Sequence, residues 1–325
     1  MQDLNRRSFV LSAAVAGTAF GLAKSVEIIP SAAAQGGGAS PLNPSGAKFH
    51  KFKVGDIEVT TVFDGASLRD HNPGFIKNAT VEETKAALKS ANLPDDKVPN
   101  AFTITVVKVG DNTIMFDSGN GPAGAPATGQ LAANMKEAGI DVANLSAIVI
   151  THFHPDHIFG LMNKDNSQIY PNTQIVVPAA EYKFWAETPV ESLPEARRGL
   201  AQRVQATFPK WQNVKQVEDD QHVAVGVRAM ATYGHTPGHT SYLVSAGNAQ
   251  LLVLGDVTNL PALNMRNPGW HIMFDQDAEM AEATRRRVFD QAVADKLVCS
   301  GYHWGMPGAG TISKDGNGYA LVPVA

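Results

Sequence analysis

Short apolar runs punctuated by glycine-containing turns mark most of the expected elements. Lys51 to Val54 and Ile57 to Val62 flank Gly55-Asp56, which predicts a β-hairpin. Thr103 to Val109 and Thr113 to Phe116 repeat that arrangement around Gly110-Asp111-Asn112. Between these pairs, Thr80-Val81-Glu82-Glu83 has the spacing of a capping box and opens a helix through about Ser90. Gln130 to Ala138 reads as helical, closed by Gly139. The uninterrupted apolar run Ala147-Ile148-Val149-Ile150 reads as a buried strand.

The second half has the same grammar. Gln174 to Val177 is a short strand, followed by helical patterns over Ala179 to Ala186 and over Leu193 to Ala206, the latter with Pro194 in its first turn. Val225 to Thr232 reads as a strand. Tyr242 to Ser245 and Gln250 to Leu254 form a hairpin around Gly247-Asn248. Ala278 to Ala294 is the clearest long helix, and Leu297 to Cys299 and Tyr319 to Val322 are late strands. Both halves run strands and then helix. That order predicts an α/β (α+β) architecture of two packed sheets between helical layers.

The N-terminus reads as an address. Asn5-Arg6-Arg7-Ser8 precedes the apolar stretch Val10 to Ala23, and Ala32-Ala33-Ala34 offers a small-residue cleavage site. The stretch is short and weak for a membrane span, with Gly17, Thr18 and Gly21 inside it, so no stable membrane insertion is expected once the signal is removed. Residues 1–34 resemble a twin-arginine export signal, which implies a periplasmic protein exported already folded. Residues 35–48 read as a flexible lead-in, and residues 49–325 as one domain.

Composition narrows the partners. The 325 residues are 44% hydrophobic and 18% charged, with a net charge of −4, so the chain reads as globular. It carries no broad basic surface for nucleic acid. A small-molecule substrate is the expected partner, and a homodimer is compatible with the sequence. The triplet Arg285-Arg286-Arg287 reads as a solvated helix face. Cys299 is the only cysteine, which rules out an intramolecular disulfide. It reads as a small buried strand residue.

Candidate chemistry concentrates after the buried strand. His152, His154, Asp156 and His157 form an H-x-H-x-D-H run, placing four metal-ligand side chains within six residues. Imidazole and carboxylate suit zinc first, with manganese, iron or cobalt as alternatives. His239, Asp256 and His303 sit at later strand ends, which a layered sheet fold can gather to one edge. Two divalent ions can then be held, one by His152, His154 and His239, the other by Asp156, His157 and His303. Asp256 bridges them. Spacing alone leaves His235, four residues before His239, eligible as well.

These motifs carry a resemblance. Asp117-Ser118-Gly119, the His152 to His157 run, Thr236-Pro237-Gly238-His239-Thr240, Gly255-Asp256 and His303 stand in the order of the metallo-β-lactamase-fold hydrolase superfamily. The resemblance implies a four-layer αββα sandwich with a di-metal site at one edge, and the ligand set just given. In the superfamily pattern the histidine after Pro-Gly ligates, which favours His239 and leaves His235 in a supporting or packing role. Asp117 is expected to orient the ligand loop. An aspartate at position 256 departs from true β-lactamases of this fold, which place cysteine or serine there. His154, where oxygen-reducing di-iron relatives carry glutamate, argues against redox chemistry. The stretches 131–139, 152–162, 234–240 and 318–324 resemble most the methyl parathion hydrolase-like group, with acyl-homoserine-lactone lactonases as more distant relatives.

The expected activity is hydrolysis of an ester, lactone or phosphotriester by a hydroxide held between the two ions. Asp256 bridges and orients, and Asp156 ligates and relays a proton. The alternatives are a β-lactamase or thioester hydrolase of the same fold, or a non-catalytic periplasmic metal-binding protein. The substrate pocket is expected to be apolar, lined by Phe153, Trp270 and Trp304, with specificity set in the segment Asn259 to Gln276. Trp185 and Trp211 are expected in the core.

Overall fold

Strand alternation divides the apolar residues between two faces of a sheet, and here both faces are covered. In the computed structural model, which describes residues 26–28, 40–124 and 127–325, the first sheet orders its strands β1 to β8 consecutively. They are β1 (Val26–Ile28), β2 (Phe49–Val54), β3 (Ile57–Arg69), β4 (Val98–Val109), β5 (Asn112–Phe116), β6 (Ala147–Val149), β7 (Gln174–Pro178) and β8 (Val214–Val217). The second sheet runs in the order β15 to β9. Its strands are β9 (His222–Ala224), β10 (Val227–Ala231), β11 (Thr240–Ala246), β12 (Ala249–Val253), β13 (Val298–Ser300), β14 (Ala309–Asp315) and β15 (Gly318–Pro323). The ladders are antiparallel except β5 through β8 in the first sheet and β12 with β13 in the second.

The helices that matter for layering are α1 (Val81–Ser90), α2 (Leu131–Glu137), α3 (Pro155–Ile158), α4 (Ala179–Tyr182), α5 (Glu195–Thr207) and α6 (Ala278–Ala294). Ile104 and Val106 of β4 face the cluster that holds Leu131 and Met135 of α2 and Val204 of α5. Val107 and Val109 face the opposite cluster, shared with Val227, Tyr242, Leu251 and Val298 of the second sheet. The other face of that sheet, at Leu252, Leu254 and Cys299, packs on Val288, Phe289 and Ala292 of α6. The result is helix, sheet, sheet, helix, the four-layer αββα order expected from the resemblance. Burial on both faces explains why β6 reads as a continuous apolar run. Ile148 joins the outer cluster, and Ala147 and Val149 the inner one. The hydroxyl of Tyr242 donates across the sheets to the carbonyl of Ile150 at 2.8 Å.

Several expectations are met to within a residue or two. Thr80 caps α1 with a full capping box. Gly139, at φ 76°, follows the end of α2, and α6 covers the whole predicted span. Cys299 is fully buried, and burial pushes its thiol up to about 12. The helix predicted to Ala186 is α-helical only to Tyr182 and continues as a π-helical turn, Lys183–Glu187.

Two readings are corrected. Arg285 is buried, not solvated, because the α6 face of Ala281, Arg285, Val288, Phe289 and Ala292 turns inward. The lead-in is folded from Ser40 onward, with Leu42 and Asn43 buried and Leu42 accepting the amide of Met306. Strands β1, β8, β9 and β14 are not among the predicted elements. Apart from Val26–Ile28, which pairs with β2, the export-signal features lie outside the described residues. Among the described residues, no helix is long and apolar enough to cross a membrane.

Candidate metal centre

The carboxyl ends of β5, β6, β12 and β13 emerge at one edge of the sandwich, because these strands pair in parallel within their sheets. Each delivers site residues just past its last ladder position. Asp117 follows β5, His152 to His157 follow β6, Asp256 follows β12, and His303 follows β13. The turn after β10 brings His235 to the same edge. Gly255, at φ +57°, lets Asp256 turn into the site. A Cβ there would lie 2.8 Å from His239 Nε2 and 2.9 Å from Thr151 Cβ.

The ligand atoms form two compartments. In the first, His152 Nε2 is 3.0 Å from His154 Nδ1, which is 2.9 Å from His235 Nε2. His235 Nε2 is in turn 3.3 Å from Asp256 Oδ2. In the second, Asp156 Oδ2 is 3.6 Å from His157 Nε2 and 3.4 Å from His303 Nε2. Asp256 joins the two, with Oδ1 3.4 Å from His157 Nε2 and Oδ2 3.1 Å from His303 Nε2.

This donor set fits divalent cations. The outer ring nitrogens are engaged: His152 Nδ1 with Thr151 Oγ1, His157 Nδ1 with Asp117, His303 Nδ1 with the Ala101 carbonyl, and His235 Nδ1 with Asp275. An imidazole that donates outward presents a lone pair inward. His157 Nε2 and Asp256 Oδ1 are buried with no hydrogen-bond partner, an arrangement that a bound cation satisfies.

The electrostatics agree. Burial, reinforced by neighbouring imidazoles, holds His152 and His154 well below the usual histidine range, in the neutral form that ligates. Burial also disfavours charge on His157, but Asp256, Asp117 and Asp156 outweigh it and hold that ring well above its usual value. Burial alone would raise Asp256, yet His303 and His157 hold it well below the carboxylate range. Carboxylates that favour a proton on His157 favour a metal cation in its place.

The structure corrects one ligand. His239 Nε2 accepts the backbone N–H of Asp256 at 2.9 Å, and its Nδ1 lies 2.8 Å from Thr232 Oγ1. Burial lowers the ring to about 3, so it is neutral, but both nitrogens are committed to protein groups. A lone pair that accepts a buried N–H is not free for an ion. His235, expected to support or pack, instead aims Nε2 into the first compartment beside His152, His154 and Asp256. The two histidines exchange roles: His235 faces the ion position, and His239 holds the Asp256 turn.

Asp117 lies against the ligand loop. At φ 62° it accepts the amide of Thr151 at 2.7 Å and contacts His157 Nδ1 at 2.8 Å. Three residues were not anticipated. Asp275 Oδ1 contacts His235 Nδ1 at 2.8 Å, and its Oδ2 accepts from Arg285 at 3.1 Å. Arg285 also donates to the carbonyls of Val257 and Pro268, so one guanidinium ties the turn after Asp256 to the partner of His235.

Glu181 is fully buried and joins both ligand loops. Oε1 accepts from the Phe153 amide at 2.9 Å and Trp185 Nε1 at 2.7 Å. Oε2 accepts from Thr236 Oγ1 at 2.8 Å and the Gly238 amide at 2.9 Å. Burial pushes its carboxyl up, against the pull of these donors. Gly238 permits the approach, since a Cβ there would meet the Glu181 nitrogen at 2.0 Å. Glu181→Ala strands four donors and is expected to cost about 3–5 kcal/mol of stability. Urea unfolding measures this, and an unchanged midpoint would contradict the assigned role.

A cavity of about 300 Å³ opens over the ligand atoms. His154, Asp156, His235, Asp256 and His303 line it, together with Arg69, Asn100, Phe102, Asn120, Asn259 and Phe274. The three aromatic residues expected to line it do not. Phe153 alternates away from its histidine neighbours and stacks on Phe208 at 4.7 Å in the core. Trp304 is buried in the cluster under α6, and Trp270 packs beside Leu260 and Leu263. Asn259 and Phe274 come from the segment expected to differ with substrate. Trp185 and Trp211 pack in the core as expected.

The fold and the site define a class: an αββα sandwich with two metal-ligand compartments sharing one carboxylate at the sheet edge. Residues 100–299 match the family described as the Metallo-beta-lactamase superfamily, and the chain belongs to it. It is 28% identical over 164 residues to an N-acyl homoserine lactonase of a Bacillus species, a match covering 50% of this chain and 58% of that protein. It is 31% identical over 125 residues to the N-acyl homoserine lactonase AttM of Agrobacterium fabrum, covering 37% of this chain and 43% of that protein. The chain thus spans less than two thirds of these curated relatives. Among solved structures, AidC, a dizinc quorum-quenching lactonase, superimposes with a TM-score of 0.78 at 26% identity, over 85% of this chain and 97% of that one. The hydrolase AbOPH gives a TM-score of 0.79 at 24% identity, over 86% and 98%, and shows the fold.

Proposed function

We propose that this protein is a two-metal hydrolase that opens carboxylic esters and lactones with water. The observation that carries this reading is the pair of ligand compartments sharing Asp256 at the floor of a cavity. His152, His154 and His235 would hold one ion, Asp156, His157 and His303 the other, with Asp256 between them. The mixed nitrogen and oxygen donors favour zinc, as does the likeness to a dizinc lactonase. When bound, two such ions supply an activated water at neutral pH and stabilise negative charge on the reacting oxygens.

The chain's own contribution is placement. Asp275, Asp117, Thr151 and the Ala101 carbonyl fix four imidazoles in the tautomer that points a lone pair inward. Asn259 Nδ2 donates to Asp256 Oδ2 at 3.1 Å, leaving Oδ1 directed toward His157. Asp156 is the more exposed carboxylate of the site and lines the cavity, where it can take a proton from the attacking water. On the sheet side of the cavity, Phe102 packs edge-on to His303 at 5.5 Å.

Purified protein stripped with a chelator is expected to lose ester and lactone turnover and to regain it on return of two equivalents of zinc, manganese or cobalt. A panel of lactones, aryl esters, phosphotriesters and a β-lactam tests the substrate class. Turnover confined to phosphotriesters or to the β-lactam would refute the carbonyl-ester reading. A metal-replete protein inert on the whole panel would return the non-catalytic alternative.

A further inference from the structure

The β3–β4 ribbon forms one wall of the cavity and presents a graded face. Arg69 pairs with Val98 and Ser67 with Asn100, so these four side chains and Phe102 project on the same side. Phe102 stands at the metal end, against His303. Val98 lies four residues farther out, about 13 Å along the strand.

Besides the Ser67 hydroxyl, two polar groups on this face that also line the cavity have no protein partner among the described residues. Neither the Arg69 guanidinium nor the Asn100 amide makes a hydrogen bond or ion pair with another described residue. Arg69 is exposed and only stacks over the Phe274 ring, 5.1 Å from its centroid. The adjacent carboxylate does not neutralise it, because Asp70 accepts from Lys97 at 2.7 Å. The other arginine near the site, Arg285, is matched by Asp275. The remaining polar wall groups are also engaged, with Asn120 donating to Asp64 and Asn259 to Asp256. The apolar side chains of Phe75, Val98, Leu260 and Ile272 line an adjoining cleft with Arg69.

A guanidinium fixed by an aromatic ring, with an amide beside it and no counter-charge, presents a fork that matches a carboxylate. We infer that Arg69, assisted by Asn100, binds a carboxylate carried by the substrate, so that the preferred ester or lactone is an anion. Its charged end lies along the β3–β4 ribbon, and its scissile carbonyl lies at the ligand cluster beside Phe102. This specificity rests on the ester and lactone reading above.

The test compares matched esters on the zinc-loaded protein: 4-nitrophenyl hexanoate against the 4-nitrophenyl monoesters of adipic and suberic acid. The quantity read is kcat/KM for each anionic ester divided by that for the neutral one. Arg69→Met keeps the apolar stem over Phe274 and removes the charge. It is expected to lower the ratio about tenfold, mainly through KM of the anionic ester, as for loss of one charged contact. Arg69→Lys is expected to restore part of the ratio, and added salt to lower it in the wild type. A ratio unchanged in Arg69→Met, or an equal fall for all three esters, would overturn the inference and leave Arg69 a packing residue. Wild-type protein that hydrolyses none of the esters or lactones would overturn the substrate reading itself, and the anionic preference with it.

Discussion

Asp256→Ala is expected to lower turnover on the order of a thousandfold, and to lower bound metal in both compartments. The magnitude follows from position. Among the described residues, Asp256 is the carboxylate within reach of ligand nitrogens on both sides, at 3.3 Å from His235, 3.4 Å from His157 and 3.1 Å from His303. Alanine removes a negative charge from a buried cluster of imidazoles, so each ion loses both a ligand and a counter-charge. Elemental analysis of the dialysed protein, paired with steady-state kinetics, separates the two effects. Asp256→Asn keeps the shape and one acceptor oxygen but not the charge, and is expected to fall between wild type and alanine. Full metal content with unchanged turnover in Asp256→Ala would remove the shared carboxylate from the mechanism.

His235→Ala and His239→Gln form the second decisive pair. His235→Ala opens the first compartment and is expected to leave the protein with about one ion in place of two, with turnover down by on the order of a hundredfold or more. His239→Gln removes the acceptor that fixes the Asp256 amide. Both ions should remain, with affinity or activity lower by about tenfold, the range found for residues that orient ligands. Metal stoichiometry distinguishes the two variants without reference to any substrate. One ion in His239→Gln and two in His235→Ala would restore the assignment implied by motif order alone.

That reversal shows where sequence reading reached its limit. His152 to His157 were legible because four ligands lie within one turn at the end of an apolar run, so local spacing and strand burial point the same way. His235 and His239 share one short turn, and nothing local separates them. The choice depends on where the amide of Asp256, seventeen residues later, meets an imidazole. The pocket aromatics failed for a related reason. Proximity in sequence placed Phe153 and Trp304 beside ligands, but Phe153 stacks on Phe208 in the core and Trp304 packs against the backbone at Gly301.

Other features left a signal that was readable. Arg285 interrupts the apolar stripe of α6, at the inward position between Ala281 and Val288. A charge in such a stripe implies a buried partner, which here is Asp275. Glu181 stands four residues before Trp185 on a helical pattern, and the two side chains meet. Strands β8 and β14 were hidden because each carries mostly exposed polar residues beyond its few buried ones, Val217 in the first and Ala309, Gly310 and Ile312 in the second.

The hydrogen bond from Tyr242 to the Ile150 carbonyl crosses from one sheet to the other just behind the ligand run. Bound ions would stand in the same relation to the fold. His152, His154, Asp156 and His157 hang from the first sheet, and His235, Asp256 and His303 from the second. Each ion would therefore draw ligands from both halves. Metal binding would then add its free energy to the adhesion of the sheets.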